Sequence, residues 1–432
     1  MCFHDYVQED ARSTRRTTPG VNQPPVAAAQ LAKLLQCLWR HPEGASKGQV
    51  SEELHMGRMT VHRRLKRAVE LGLVRRDGVA PSTGGRAPAR WSVVPDVARL
   101  LVLNVRYRST SLSMTDLRGR VLMRTDWPGG IMASPAEVCD RAVRSIGHLR
   151  EQTREKWPDL WGMSVTVPSP VDAQSGLIVP PVFECERAGD WPNVDLRAEM
   201  ESRVGMPVVL NDEIVALALS AARRPGAPDH LLYVRVSLGL GLGIVSGGNV
   251  QLGVGGVSGE FPHVQVFGSS DRVCTCGRTG CLETYVSGLA LECEAMRHET
   301  LAASPALSRV AQEVGRVTVA DIVRAAAAGD PRSMRLISEM ANRLGAVLAV
   351  VATIYPPGEI VIGGEIAAGG SYIGELVEHT ILGRLLPAAA SRIRVRVGGR
   401  NGVDEIVGAA HAFVESQLTA NELVRRLSAA AT

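Results

Sequence analysis

Cys274-Thr275-Cys276-Gly277-Arg278-Thr279-Gly280-Cys281-Leu282-Glu283, preceded by Gly259-Glu260-Phe261-Pro262-His263, is the stretch of this chain with the most specific chemistry. Three thiols and one imidazole make a Cys3His set, which meets the tetrahedral, closed demand of a structural Zn2+. Gly277 and Gly280 let the loop fold tightly enough for Cys281 to meet its partners. Cysteines packed inertly in a core would not need that punctuation, so His263, Cys274, Cys276 and Cys281 are expected to hold the metal. The other five cysteines, Cys2, Cys37, Cys139, Cys185 and Cys293, are scattered and read as small buried hydrophobes.

Working outward, a length of 432 residues exceeds what one hydrophobic core organises and predicts two or three compact units. Hydrophobic content of 45% with 21% charged residues fits a soluble α/β protein and argues against disordered, fibrous or membrane classes. The longest apolar run, Leu344 to Ile354, is too short to cross a bilayer and leads into Tyr355-Pro356-Pro357. The first twenty residues mix acids with Arg12, Arg15 and Arg16 and lack the apolar segment of a secretory signal. A cytoplasmic protein without disulfides or a membrane partner is expected, beginning with a flexible tail over 1–27.

The net charge of +4 is unevenly spread: residues 28–92 hold twelve Lys and Arg against five acids, a local +7 that leaves −3 for the remainder. A basic block of domain size on a near-neutral body suggests a nucleic-acid-binding module, with a merely solvated charged face as the alternative. Leu31, Leu34, Leu35, Leu38 and Trp39 follow helical spacing until His41-Pro42-Glu43-Gly44. Ser46 and Gln49 form a capping-box pattern for a second helix, which His55-Met56-Gly57 breaks. A third helix starts near Met59, turns Val61, Leu65, Ala68 and Val69 inward, and stops at Gly72. Its outward face holds Thr60, His62, Arg63, Arg64, Lys66 and Arg67, with Arg58 at its start: cations for phosphates and donors for base edges. Two strands around Thr83-Gly84-Gly85-Arg86 would make a wing that brings Arg86 to a minor groove, unless it is only an exposed loop residue. The ensemble predicts a winged helix-turn-helix over 28–94 that binds a double-stranded DNA operator. A protein-binding winged helix would not need so basic a face.

After Val94-Pro95-Asp96 the pattern becomes strands alternating with helices: Leu100–Leu103, Leu112–Thr115 and Gly119–Arg124, a helix over Pro135–Gln152, then Trp161–Val167, Val208–Leu210, Leu231–Ser237, Leu242–Gly247 and Ile360–Ile362. An α/β body with two lobes is the natural reading.

With the cysteine cluster, these segments resemble the ROK family (repressor, open reading frame, kinase). Its C-x-C-G-x-x-G-C-x-E motif is complete at 274–283, and its G-E-x-G-H motif is kept at 259–263 apart from Pro262. Val167-Pro168-Ser169-Pro170-Val171-Asp172 looks like the family's V-P-G-P-V-D, Asn211-Asp212 like its N-D, and Pro357 to Gly364 like its P-x-x-I-x-I-G-G. The resemblance implies a two-lobed actin-like, ribonuclease H-like domain over 98–415, followed by a C-terminal helix or tail over 416–432. It also implies sugar contacts at Asn211, Asp212, Glu260, His263 and Glu283, with His263 shared between metal and sugar. Asp212 and Glu260 as plain loop-capping residues are the competing reading. Ser169 replaces a family glycine, and Glu213-Ile214 replaces Ala-Asn.

A kinase of this family opens its body with D-x-G-G-T, where glycine amides approach nucleotide phosphates. Here the stretch is Asn104-Val105-Arg106-Tyr107-Arg108, without the acid or the glycines, and the second phosphate segment reads Leu238-Gly239-Leu240-Gly241-Leu242-Gly243 with leucine for the hydroxyl residue. ATP use is therefore not expected, although Asp212 would be the base in a kinase. The sequence predicts a regulator, in the repressor branch, of carbohydrate metabolism that responds to a sugar or sugar phosphate and reads its operator as a homodimer or homotetramer. A working sugar kinase with an appended DNA-binding domain, and a ligand-independent regulator controlled by a protein partner, are the alternatives.

Overall fold

Leu31, Leu34, Leu35, Leu38 and Trp39 line the buried face of the first helix, Val26–Arg40. The structure is a computed structural model that describes residues 26–79, 87–152, 160–172, 175–179, 191–192, 194–266, 272–399 and 402–429. The tail before Val26, the wing tip with Arg86, and Cys2 and Cys185 lie outside the described residues. Ser46 caps the second helix, Lys47–Glu53, through a reciprocal box: its Oγ accepts from the Gln49 amide at 3.3 Å, and Gln49 Oε1 accepts from the Ser46 amide at 2.9 Å. After a turn in which His55 takes a φ of 49°, the third helix, Arg58–Glu70, buries Val61, Leu65 and Ala68. Val69, expected inside, is 42% exposed. Eight residues past Val61 it has rotated about 80° off the buried stripe, whereas Ala68 has rotated only about 20°. The helix ends at Gly72, whose φ of 70° lets Leu73 N–H reach Ala68 C=O at 3.0 Å.

Strands β1 (Ala45–Ser46), β2 (Val74–Val79) and β3 (Ala89–Val93) form a small sheet in the order β1-β3-β2, the winged part of this module. The body holds two five-stranded sheets. In the first, β4 (Arg99–Val105), β5 (Ser109–Asp116), β6 (Val121–Pro128), β7 (Leu160–Val167) and β8 (Val208–Asp212) lie in the order β6-β5-β4-β7-β8. In the second, β9 (Leu231–Val236), β10 (Leu240–Ser246), β11 (Asn249–Val250), β12 (Glu359–Gly363) and β13 (Arg394–Val397) lie in the order β11-β10-β9-β12-β13. β5 extends beyond the apolar residues visible in sequence, because it continues through Thr110, Ser111 and Ser113, polar residues that are buried in the sheet.

Helix Glu213–Ala222 covers the second sheet and packs along helix Val403–Gln417, which covers the first, so this pair joins the lobes. Gly408 is required there, since a Cβ would collide with the Ala216 carbonyl. Helix Pro331–Ile354 is long and apolar enough to cross a membrane, contrary to the sequence reading, which counted only its uninterrupted apolar run. It packs against helices Val319–Ala327 and Ser371–Leu382 with Leu336, Ile337, Met340 and Leu344 buried, as a core helix does. The C-terminal segment, expected as a helix or tail, holds a helix among its described residues. Helix Ala420–Ala429 packs on the first helix, and Leu418 and Leu423 share a buried core with Leu31, Trp39, Leu100 and Phe413. Cys37 and Cys139 are buried as expected, but Cys293 is exposed, because it lies on the outer side of helix Gly288–Ala295.

Candidate effector cavity, metal cluster and nucleic-acid face

Strands β7 and β8 run parallel, and their carboxyl ends, Val167 and Asp212, open into the cleft between the lobes. Ligands of open α/β sheets bind at that end of the strands. A cavity of about 160 Å³ is lined there by Ser169, Asp212, Arg235, Glu260, His263 and Glu283, among others. Asp212 is half-buried at the cavity wall; it accepts from the Ile214 amide at 2.9 Å, capping helix Glu213–Ala222, and desolvation pushes its carboxyl up to about 7. It is thus both a capping residue and a cavity wall. Burial also raises Glu260 and Glu283, the latter accepting from the Leu240 amide at 3.4 Å. Asn211 is not in this cavity. One residue earlier on β8, its side chain points the other way and lines a neighbouring cavity with Asp172 and Arg197. The sequence reading missed Arg235, which reaches the cavity from β9 paired to the buried carboxylate of Glu213. Gly259 has a φ of 86°, and any side chain there would strike the Leu242 carbonyl, so this glycine sets the path of the Glu260 loop.

Beside this wall the donor atoms of His263, Cys274, Cys276 and Cys281 all lie within 4.8 Å of one another. His263 Nδ1 is 3.5 Å from Cys274 Sγ, and Cys276 Sγ is 3.6 Å from Cys281 Sγ. A tetrahedron with zinc–sulfur bonds of about 2.3 Å has edges of about 3.8 Å, so the donor set fits that ion with little adjustment. The other imidazole nitrogen, Nε2, is 3.6 Å from Glu260 Oε2, facing the cavity. Burial raises the Cys274 thiol; it also raises the Cys281 thiol, to about 12, together with hydrogen bonds that its S–H donates to the neighbouring sulfurs. At Cys276 burial is outweighed by donors from Arg278, and the thiol falls to about 7.

The turn from β4 to β5 is filled by arginines. Asn104 Nδ2 donates to Thr166 Oγ1 and to Glu405 Oε1, both at 2.9 Å, and Arg106 Nε meets Glu405 Oε2 at 3.0 Å. Gly402 lies directly against the Arg106 guanidinium. Arg108 reaches across the cleft to Glu292, on helix Gly288–Ala295, at 3.5 Å. The glycine-rich segment 239–243 is the hairpin between β9 and β10, and a side chain at Gly243 would collide with Ala218, so close helix–strand packing explains that glycine without a phosphate.

On the third helix Arg58, His62, Arg63, Lys66 and Arg67 are exposed and Thr60 half-buried. His62 Nδ1 is 2.9 Å from Lys47 Nζ, and Arg67 pairs with Glu70 at 3.4 Å. Arg64 instead turns back to Gln30 Oε1 on the first helix at 3.2 Å, so it braces the module. Met59, 71% exposed at the start of this face, is an apolar group the sequence reading left out.

The ROK family model matches residues 109–413, and the IclR helix-turn-helix domain model matches residues 27–78. The DNA-binding transcriptional dual regulator NagC of Escherichia coli (strain K12) is 28% identical over 356 residues, covering 81% of this chain and 84% of that protein. A glucokinase of Halalkalibacterium halodurans is 26% identical over 322 residues, covering 74% of this chain and 93% of the enzyme. Among solved structures, a ROK family transcriptional regulator, homolog of the E. coli MLC protein, superposes with a TM-score of 0.73 at 21% identity, over 93% of this chain and 98% of that one. Two five-stranded sheets joined by crossed helices, a Cys3His cluster beside a carboxylate-lined cavity and a basic winged module in front of them have one explanation: the chain belongs to the ROK family and carries an N-terminal IclR-type helix-turn-helix domain.

Proposed function

We propose that this protein is a sugar-responsive transcription regulator, a repressor by its relatives, whose body binds effector without phosphorylating it. The observation that carries this reading is the seat of the first helix of the DNA-binding module. Trp39 is buried beneath the Arg118 guanidinium, 4.2 Å from its ring centroid, and tilts against His411 at 4.9 Å; Gln36 donates to the Leu418 carbonyl at 2.8 Å. Arg40 reaches Asn249, on the other lobe, at 3.2 Å. A helix held by both lobes is displaced when the lobes move, and the recognition helix follows.

Asp212, Glu260, His263 and Glu283 would contact the effector. Three carboxyl groups and an imidazole suit ring hydroxyls, and Arg235, the one arginine in the wall among the described residues, is already paired with Glu213, which favours a neutral sugar. Zinc held by His263, Cys274, Cys276 and Cys281 would supply a rigid crosslink that fixes the imidazole as part of the wall. Catalysis is disfavoured because Arg106 and Arg108, with their carboxylate partners, occupy the turn where a nucleotide would need bare glycine amides. Two half-sites require two modules, so a homodimer or larger homo-oligomer on DNA belongs to the proposal.

One feature favours the kinase reading: Asp212, raised to about 7, is a suitable base. Two measurements on the full chain separate the possibilities. Calorimetry with free sugars and sugar phosphates should give binding that Asp212→Asn, which still caps the helix, abolishes; no heat with any of them would point to a protein partner. Incubation with ATP and the bound sugar should give no turnover, and turnover lost in Asp212→Asn would establish a kinase.

A further inference from the structure

Within the DNA-binding module, Cys37, His41 and Glu53 bring a sulfur, a nitrogen and an oxygen within 4.8 Å of one another, far from the Cys3His cluster in sequence. Cys37 lies in the last turn of the first helix, and His41, four residues on, follows its end on the same side. Glu53 is the final residue of the second helix. His41 Nε2 and Glu53 Oε2 are 2.7 Å apart, and both side chains are 38% exposed, whereas Cys37 is buried beneath them at 2%. The donors form a shallow cup with sulfur at its floor and an open side toward water.

We propose that Cys37, His41 and Glu53 form a second metal site, which takes a zinc-class divalent cation and makes DNA affinity metal-dependent. Thiolate, imidazole and carboxylate are the donor types of borderline-soft ions such as Zn2+ and Co2+, not of Mg2+ or Ca2+. Three protein ligands leave the fourth position to water, so the ion exchanges more readily than one in the closed Cys3His cluster. Binding requires the 2.7 Å His41–Glu53 contact to widen by about 0.7 Å, to the spacing of two tetrahedral ligands about 2.1 Å from a shared ion. The thiol proton of Cys37 is released to solvent.

The location gives the site its consequence. Its first ligand is on, and its second directly follows, the helix that Trp39, Gln36 and Arg40 fasten to both lobes. Its third is on the helix that leads, through the turn at His55, into the recognition helix. An ion would tie these two helices together just where a signal from the body must pass, replacing an exposed ion pair of small strength.

Cobalt uptake by the full-length protein tests the proposal. The wild type should bind two equivalents per chain, both with sulfur-to-cobalt absorption. Cys37→Ser should remove one, as should Cys276→Ser, and the two losses should add; Glu53→Gln should weaken the Cys37-dependent equivalent about tenfold or more. Equal stoichiometry in wild type and Cys37→Ser, or a single equivalent lost entirely with Cys276→Ser, overturns the second site. Two equivalents retained in Cys276→Ser would instead count against the Cys3His assignment. If Cys37→Ser fails to fold, the surface substitution His41→Gln reports the same equivalent. Affinity for DNA selected by the wild-type protein, measured with and without added zinc at constant ionic strength, should differ in wild type and not in His41→Gln; equal affinities in wild type overturn the regulatory role.

Discussion

At the scale of single residues, burial decides how the ionisable groups behave. Asp212 is a carboxyl whose burial keeps it near the point of half-ionisation at neutral pH, while Glu260 and Glu283 move in the same direction from the same cause. His411 is the opposite case: burial, with Arg118 and Arg223 nearby, depresses it from 6.5 to about 3. The unfolded chain takes up a proton below 6.5 that the folded chain refuses, so the group costs no stability above that pH and progressively more as pH falls toward 3. The unfolding free energy from urea titrations should therefore fall on acidification below about pH 6, by up to about 1.4 kcal/mol per pH unit from this group. His411→Phe should flatten that slope, and an unaltered slope would remove His411 as its source.

Among elements, the recognition helix is the one most legible in sequence, because its start, apolar stripe and glycine stop all lie within fifteen residues. Its failures are instructive. Val69 sits off the stripe by rotation alone, and Arg64 leaves the open face because Gln30, distant in sequence, offers it an acceptor. Arg63 is exposed at mid-helix, and a base contact is the role proposed for it. Arg63→Ala should weaken binding to DNA selected by the wild-type protein by about 1 to 3 kcal/mol and relax specificity at one position. Titration by fluorescence anisotropy decides it, and unchanged affinity and specificity would exclude a base contact by this side chain. The β9–β10 hairpin shows the reverse problem: its glycines resemble a phosphate loop in sequence, yet Gly243 is explained by Ala218 packed against it.

Across the whole molecule, the DNA-binding module and the body are not independent beads. Trp39 belongs to the same buried cluster as Leu100, Phe413 and Leu423, and Arg118 Nη1 donates to its carbonyl at 2.9 Å. Trp39→Ala should destabilise the protein by roughly 3 to 5 kcal/mol and split one thermal transition into two. It should also leave DNA affinity indifferent to the effector. A single transition with effector response intact, followed by calorimetry and DNA titration, would show that coupling runs elsewhere.

The sequence by itself determined what is local: the capping box at Ser46, the Gly72 stop, the basic helix face, and the spacing that brings Cys274, Cys276 and Cys281 together. It also determined the loss of glycines at 104–108, because a missing residue type needs no neighbours to be seen. Only the tertiary structure decided what depends on distant partners. It placed Asp212, Glu260 and Glu283, from three separate segments, around one cavity and turned Asn211 away from it. It filled the β4–β5 turn by giving Arg106 a carboxylate, Glu405, 299 residues away in the chain. It also joined Cys37 and His41 to Glu53, which made a buried cysteine part of a donor set. Side-chain chemistry is written in the sequence, but desolvation and ion pairing belong to the packed state, because both depend on which groups the fold brings within a few ångströms.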